Sequence, residues 1–525
     1  MKHILLSIRS AAFASLLSLL GACSSEFNEL PVQDNPSAPL AIHVNMDGFS
    51  DELQVDTRAI DDGVHTFFQD GDCVGIIAIK SDGTTQQTVT YNATSRSWKA
   101  SDSDTYDDSG ATTYVPYFPY KEDLSMDNIS SAETAFAAIK AAIQPKEDQR
   151  TAAAYRASDL LTGSCTYSGN TLSINLAHAY SLLWLQAGTE YSTPDDFIYR
   201  TPLSDVVVNY NDMLLYPCLS ADGYRLVVDA KTSPHSIRWF YTLADGTPYL
   251  ITASTLLDAG KYRLFRNITS GGLRPIKVGD YYYSNGGIVP GDTENPPAEG
   301  CIGIVSCTDV SRIGKAAVAK LKTLGVQKPH GFVMALTNAS ERCRWGEYNK
   351  DENSDGSDGT PFKDNTDKLN KQYNNVDGYA ETHWMFDKFK NGGYNQETYK
   401  AFTVARSYNV ATPDNTTGWF IPSMGQWWDI LSNLGGIDLS NYQNNDRDGY
   451  TYISNAAPIA VDNINVYLGK VNGATTFSLD TYFWSSSEYS GGLACNVYFY
   501  GRGNLYLYYD FKDSTDGRVR CVLAF

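Results

Sequence analysis

Near the C-terminus the chain alternates apolar and tyrosine positions strictly. The two runs are Val497-Tyr498-Phe499-Tyr500 and Leu505-Tyr506-Leu507-Tyr508, separated by Gly501-Arg502-Gly503-Asn504. Two period-2 runs joined by a glycine-rich turn predict a β-hairpin. Successive side chains on a strand point to opposite faces. Val497, Phe499, Leu505 and Leu507 are therefore expected inside, with Tyr498, Tyr500, Tyr506 and Tyr508 together on the outer face. Tyrosine offers a large contact area at the cost of two torsions, which suits a binding surface. The competing reading is an aromatic face packed against a neighbouring domain.

The same patterning marks elements upstream. Strands are expected at Pro39–Met46, at Phe67–Ile79, at Ser97-Trp98, at Thr113–Tyr120 and from Ile174 to Leu182. His178 shares a strand face with Ile174, Leu176, Tyr180 and Leu182, so a hydrogen-bonded core histidine is expected there rather than a ligand. Weaker alternation predicts strands at Asp205–Tyr210, Tyr224–Val228, Ile237–Tyr241 and Leu256–Leu264. Residues 276–300 are rich in glycine and proline and read as a boundary. Helical spacing is expected at Ala132–Ile143, Ser311–Leu324 and Tyr379–Lys388, and again after an N-cap at Ser423 through Trp427, Trp428, Ile430 and Leu434.

Two stretches carry resemblances to known families. Trp484-Ser485-Ser486-Ser487-Glu488-Tyr489, Gly418-Trp419-Phe420-Ile421-Pro422-Ser423 and Arg518-Val519-Arg520-Cys521-Val522-Leu523-Ala524-Phe525 resemble the end of C-type-lectin-fold domains diversified by retroelements. Departures are Cys521, where proline is common, and Gln426, where glutamate is usual. The resemblance implies a ligand-binding face at Gly491, Gly492, Leu493, Tyr498, Tyr500, Arg502, Tyr506, Tyr508, Tyr509, Asp510, Asp513, Ser514, Thr515 and Asp516. It also implies that these positions are open to hypervariation. The N-terminal half resembles the fimbrillin family of pilus subunits, through Thr57-Arg58-Ala59, Gly71-Asp72-Cys73-Val74-Gly75-Ile76, Tyr117-Phe118-Pro119-Tyr120, Ser158-Asp159-Leu160-Leu161, Asn175-Leu176-Ala177-His178-Ala179-Tyr180-Ser181 and Ala259-Gly260-Lys261-Tyr262. That resemblance implies two tandem β-sandwiches, proteolytic processing at Arg58, and other pilus subunits as partners by donor-strand addition, a β-augmentation.

The N-terminus adds a location. Lys2 and Arg9 precede or flank an apolar stretch, Ala11–Leu20, too short to span a bilayer as a mature helix. Leu20-Gly21-Ala22-Cys23 resembles a lipobox, which implies lipidation at Cys23 and an outer-membrane anchor. Ser24, not aspartate, follows. An acidic balance of 41 Lys and Arg against 60 Asp and Glu, net −19, argues against nucleic acid as a partner. Without Cys23, eight cysteines remain, with no zinc spacing and no CxxC; Cys495 and Cys521 lie in neighbouring strands, where a disulfide and two free thiols both fit.

No catalytic, metal or cofactor site is expected. Asp351-Glu352-Asn353-Ser354-Asp355-Gly356 starts like a calcium loop, but its twelfth position is Phe362 where a bidentate glutamate is needed. The expected architecture is mostly β: signal peptide 1–22, polar tether 23–37, fimbrillin-like β-sandwiches at 38–175 and 176–275, and an α+β C-type-lectin-like domain at 276–525. The expected role is a cell-surface lipoprotein and pilus-tip adhesin for a protein or glycan ligand. Two alternatives stand beside it, a structural stalk or anchor subunit and a formylglycine-generating-type oxidase, which resembles this fold and uses paired thiols.

Overall fold

A computed structural model describes residues 40–51, 68–81, 83–100, 111–168, 170–220, 222–230, 234–352, 360–362, 369–390, 392, 394–443 and 451–525. Cys23, Arg58 and Asn353–Gly356 of the acidic loop lie outside the described residues, so the expectations placed on them concern positions not described. The described residues form mostly strands, arranged in several sheets. They fall into two compact units, the first drawn from 1–47, 67–139 and 162–177, the second from 48–66, 140–161 and 178–525.

In the first unit one seven-stranded sheet runs in the order Ala41–Met46, Thr171–His178, Leu161–Ser168, Ala111–Phe118, Cys73–Lys80, Gly83–Asn92, Ser97–Ala100. Cys73–Lys80 is central and buried on both faces, with Val74, Ile76, Ile77 and Ala78 fully enclosed. A continuous apolar run rather than an alternating one is what such a strand requires. It starts at Cys73, later than expected, because among the described residues before it Asp72 N–H closes a turn on Gln69 O; Phe67, where the strand was expected to begin, lies outside the described residues. Ala41–Met46 is an edge strand, parallel to Thr171–His178, and pairs Ala41 with Thr171 through Met46 with Leu176.

The second unit opens with two facing sheets. One contains Ser181–Ser192, Gly223–Val228 and Lys261–Leu273; the other contains Ser204–Tyr210, His235–Thr242 and Pro248–Thr255. Leu183, Leu185 and Phe265 from the first sheet share one core with Val208, Ile237 and Trp239 from the second. The strand expected from Leu256 begins at Lys261 instead, since Asp258 and Gly260 are held in a turn: Gly260 N–H donates to Tyr180 O and Ser181 Oγ to Asp258 O. His178 is buried and hydrogen-bonded as expected, with Nδ1 2.7 Å from Asp159 Oδ1 and its ring stacked on Phe49. The single strand expected from Ile174 to Leu182 is two: Thr171–His178 ends there and Ser181–Ser192 begins in another sheet.

Residues 281–525 supply two more sheets with helices between them. A five-stranded sheet ends on the last strand, Val522–Ala524, which pairs with Phe332–Ala335. A six-stranded sheet takes the order Ser340–Cys343, Gly517–Val519, Thr481–Ser490, Leu493–Phe499, Leu505–Phe511, Thr451–Ile453. Helices Gly378–Lys390 and Met424–Asn433 match the spacing, and Ser423 forms the expected N-cap as part of a capping box with Gln426. The single helix expected over Ser311–Leu324 is split into a 3-10 turn at Val310–Arg312 and a helix at Lys315–Thr323. Gly314 divides them at φ +93°, where a Cβ would lie 2.4 Å from Val376 O. Within this unit Arg274 forks onto Asp280 at 2.7 and 2.8 Å and donates to Tyr199 Oη, so the last sandwich strand is tied to the start of the C-terminal module.

Candidate functional site

The hairpin forms as the alternation requires. Leu493–Phe499 and Leu505–Phe511 pair antiparallel, with Val497 opposite Leu507 and Phe499 opposite Leu505. The turn closes through Gly503 N–H to Tyr500 O and Tyr500 N–H to Asn504 O, with Gly503 at φ +105°, a conformation few residues but glycine adopt. Val497, Phe499, Leu505 and Leu507 are completely buried in the core that also holds Trp427 and Phe483. Tyr498, Tyr500 and Tyr506 are partly exposed and Tyr508 is open to solvent. Burying one row fixes the other outside, because a one-residue slip would invert every side chain.

The register extends this face beyond the hairpin. Tyr482 lies opposite Tyr498, Tyr498 opposite Tyr506, and Tyr506 opposite Tyr452. Four strands therefore carry one tyrosine each in a continuous cross-strand ladder, with ring centroids 6.3, 6.2 and 5.8 Å apart. Tyr500 and Tyr508 flank it, each about one ring from Tyr506. Directly opposed aromatic pairs stabilise a sheet while leaving the ring faces available. Tyr452 and Tyr482 are absent from the residues expected from sequence; Tyr482 stands in an unbroken Tyr482-Phe483-Trp484 run and shares its parity with fully buried Trp484, so alternation does not single it out. Tyr452, in a three-residue strand, had no alternation to read.

The other expected positions separate into distinct settings. Arg502 is exposed at the turn. Asp510 and Asp516 border a cleft beside the ladder, while Asp513 and Thr515 are exposed and Ser514 Oγ shares a 2.7 Å hydrogen bond with Tyr482 Oη. Gly491, Gly492 and Leu493 sit at the opposite end of the hairpin; Gly492 lies against Tyr348, and Leu493 is paired with exposed Phe511. Tyr509 takes the inward position in the alternation, opposite Cys495, and stacks on Tyr489 at 4.0 Å.

Beneath the Asp510–Asp516 segment lies a buried charge cluster. Lys512 is fully enclosed, its ammonium donating to Glu352, Glu488 and the Lys350 carbonyl (2.5 Å), with the Trp345 ring 4.9 Å away. Tyr399 donates to the same Glu352. Burial, then the hydrogen bond with Glu352, pushes the Glu488 carboxyl well above the usual carboxylate range, against the pull of Lys512. Lys512 in turn accepts at its carbonyl from Trp345 and Gly346 N–H, so one side chain and its backbone pin the loop to the body of the module.

The serine motif of the same strand holds a second buried network. Ser486 Oγ donates to Glu381 (2.5 Å), Asn375 Nδ2 donates to Glu381 and to Ser487, and Met424 N–H donates to Ser487 Oγ, all of it buried. Gln426 accepts from Ser423 N–H and donates through its amide to Ile313 O, a donor that the commoner glutamate lacks. These residues build the platform beneath the sheet.

Cys495 and Cys521 are free thiols in different apolar clusters, so no disulfide joins them. Cys343, Cys495 and Cys521 are all buried, and burial pushes their thiols up, Cys343 to about 12. Metal ligation and thiol redox chemistry need the thiolate, which this setting opposes. Among the described residues no group of three or more His, Cys, Asp or Glu is placed to hold a metal ion.

No family model matches the chain. A protein of Bacteroides ovatus described as "Putative fimbrium tip subunit Fim1C" is 27% identical over 478 residues, 79% of this chain and 84% of that protein. A crystal structure of a fimbrial protein from Bacteroides ovatus is 21% identical with a TM-score of 0.42, covering 93% of this chain and 99% of the other. A structure from Bacteroides uniformis described as "a putative cell adhesion protein" is 13% identical with a TM-score of 0.27, covering 39% of this chain and 88% of the other.

Proposed function

We propose that this chain is a cell-surface lipoprotein at the tip of a pilus, where its C-terminal module, of C-type-lectin type, binds a protein or glycan ligand through the tyrosine ladder. The observation that carries the binding face is the pairing of Tyr482, Tyr498, Tyr506 and Tyr452 across four strands, above an apolar row that is wholly buried. The inner row is buried in the core, while the outer row adds cross-strand pairing and keeps ring surface exposed, so six aromatic side chains stand available for recognition. The similarity to a fimbrium tip subunit over 79% of the chain supports the pilus setting. Anchoring through Cys23, opening of the first unit after cleavage at Arg58, and donor-strand addition by another subunit belong to the same reading. Ala41–Met46, an edge strand pairing along one side only, is the strand such an exchange would replace.

Placement is tested by immunogold microscopy with antibodies raised against residues 276–525. Label confined to the distal ends of pili is expected. Label along the whole shaft would favour the stalk reading instead.

A further inference from the structure

The buried cluster around Lys512 has the makings of a chemical step of its own. The side chains of Lys512, Glu352 and Glu488 are completely enclosed, and Tyr399 with them. Trp345 stands 4.9 Å from the Lys512 ammonium and packs on Phe362, Tyr399 and Phe402 at 5.9, 6.4 and 5.1 Å. All four rings are buried, so the cluster sits in an aromatic shell closed to solvent. Charged forms are costly in such a place. Passing a proton from Lys512 to Glu352 leaves a neutral amine against a neutral acid, which burial favours.

The contacts also orient the groups. The three N–H bonds of Lys512 are directed at Glu352 Oε2, Glu488 Oε1 and the Lys350 carbonyl. Removing the proton aimed at Glu352 turns the nitrogen lone pair on that carboxyl. Tyr399 Oη donates to the other oxygen of Glu352, Oε1. Glu352 N–H donates to Glu488 Oε1 at 2.9 Å, which fixes one carboxyl against the other. Burial, then the hydrogen bond with Glu352, keeps the Glu488 carboxyl protonated well above the usual carboxylate range.

We infer that Lys512 and Glu352 condense into an internal amide cross-link, with Glu488 carrying the proton and Tyr399 stabilising the oxyanion. Lys512 Nζ attacks Glu352 Cδ, and the C–N bond forms as the carbonyl electron pair moves onto Oε1, facing the Tyr399 hydroxyl. Glu488 takes a proton from the nitrogen and returns one to Oε2. The Cδ–Oε2 bond breaks, water leaves, and the carbonyl re-forms. An ammonium and a carboxylate thus become an amide and one water, with no oxidant or reductant. Reactants held in contact reach effective concentrations of about 10⁵–10⁸ M, and the product removes two buried charges. The link closes a loop between residues 160 apart and fastens the Asp510–Asp516 segment covalently.

Intact mass spectrometry of the reduced, lipid-free chain beginning at Ser24, with tryptic mapping after denaturation, tests this. The expected mass is one water below the sequence value, with no cleavage after Lys512 and a branched peptide joining Glu352 to Lys512. Lys512→Met should carry its full sequence mass. Glu488→Gln should melt as a folded protein, carry its full mass and be cut after Lys512. A natural chain at full mass, cut after Lys512, would overturn the inference. So would a water loss that survives in Lys512→Met or maps to a succinimide at Asp355-Gly356 or Asp516-Gly517. A Glu488→Gln chain cross-linked as completely as the natural one would overturn the proton relay assigned to Glu488.

Discussion

At the scale of single residues, Lys512 pins the Asp510–Asp516 segment to the body of the module. The sequence placed Asp510, Asp513, Ser514, Thr515 and Asp516 on the binding side and passed over the lysine among them, because a lysine in an acidic polar stretch ordinarily faces water. Its burial depends on Glu352 and Glu488, 160 and 24 residues away, and no local pattern reports partners at that range. Lys512→Met leaves two carboxyls facing each other and should cost about 3–5 kcal/mol, measured by denaturant unfolding. Glu488 gives a pH signature. Its folded pKa lies above its unfolded one, so its contribution is complete on the acid side of the carboxylate range and is lost as pH rises. Glu488→Gln, which imitates the protonated acid, should retain the fold and flatten the fall of Tm between mildly acidic and alkaline pH. A variant with an unchanged slope would place that pH dependence elsewhere.

At the scale of elements, period-2 and helical patterns were legible where one face is buried and the other wet. The hairpin, the strands over 204–210, 223–228 and 235–242, and the Ser423-capped helix all show such contrast. Helix Ala456–Leu468 was missed although Ala460, Val461, Ile464 and Leu468 recur at helical spacing. Its N-cap position is Asn455, which in the structure is left-handed and makes no side-chain cap bond. The two rows of the hairpin make opposite predictions. Phe499→Ala removes a fully buried ring and should destabilise by about 3–5 kcal/mol. Tyr506→Ala, on the outer row, should shift the unfolding midpoint far less, and comparable losses at both positions would mean that the ladder is itself core.

At the scale of the whole molecule, the sandwich and the C-terminal module belong to one compact unit, and the Arg274–Asp280–Tyr199 contacts sit where they meet. The glycine and proline content of 276–300 suggested a boundary and gave no sign of this, since such residues mark turns without stating what packs on either side. Cys23→Ala should release the chain from membranes or leave an unprocessed precursor, read by fractionation and acyl labelling. Mass spectrometry of assembled pili should find chains beginning at Ala59; finding only chains that begin at Cys23 would reject cleavage after Arg58.

In the proposed role the outer tyrosine row binds and the inner row folds. It is tested most directly by comparing the natural chain with a Tyr498→Ala, Tyr500→Ala, Tyr506→Ala, Tyr508→Ala variant, each as a lipid-free form beginning at Ser24. Both are read on arrays of glycans and immobilised surface proteins, with thermal melting of the same samples. Each tyrosine at a real contact contributes about 1–3 kcal/mol of affinity, so the variant should lose its ligands outright. Its melting curve should stay close to that of the natural chain. Ligands retained by the variant, or a variant that no longer folds, would contradict the account.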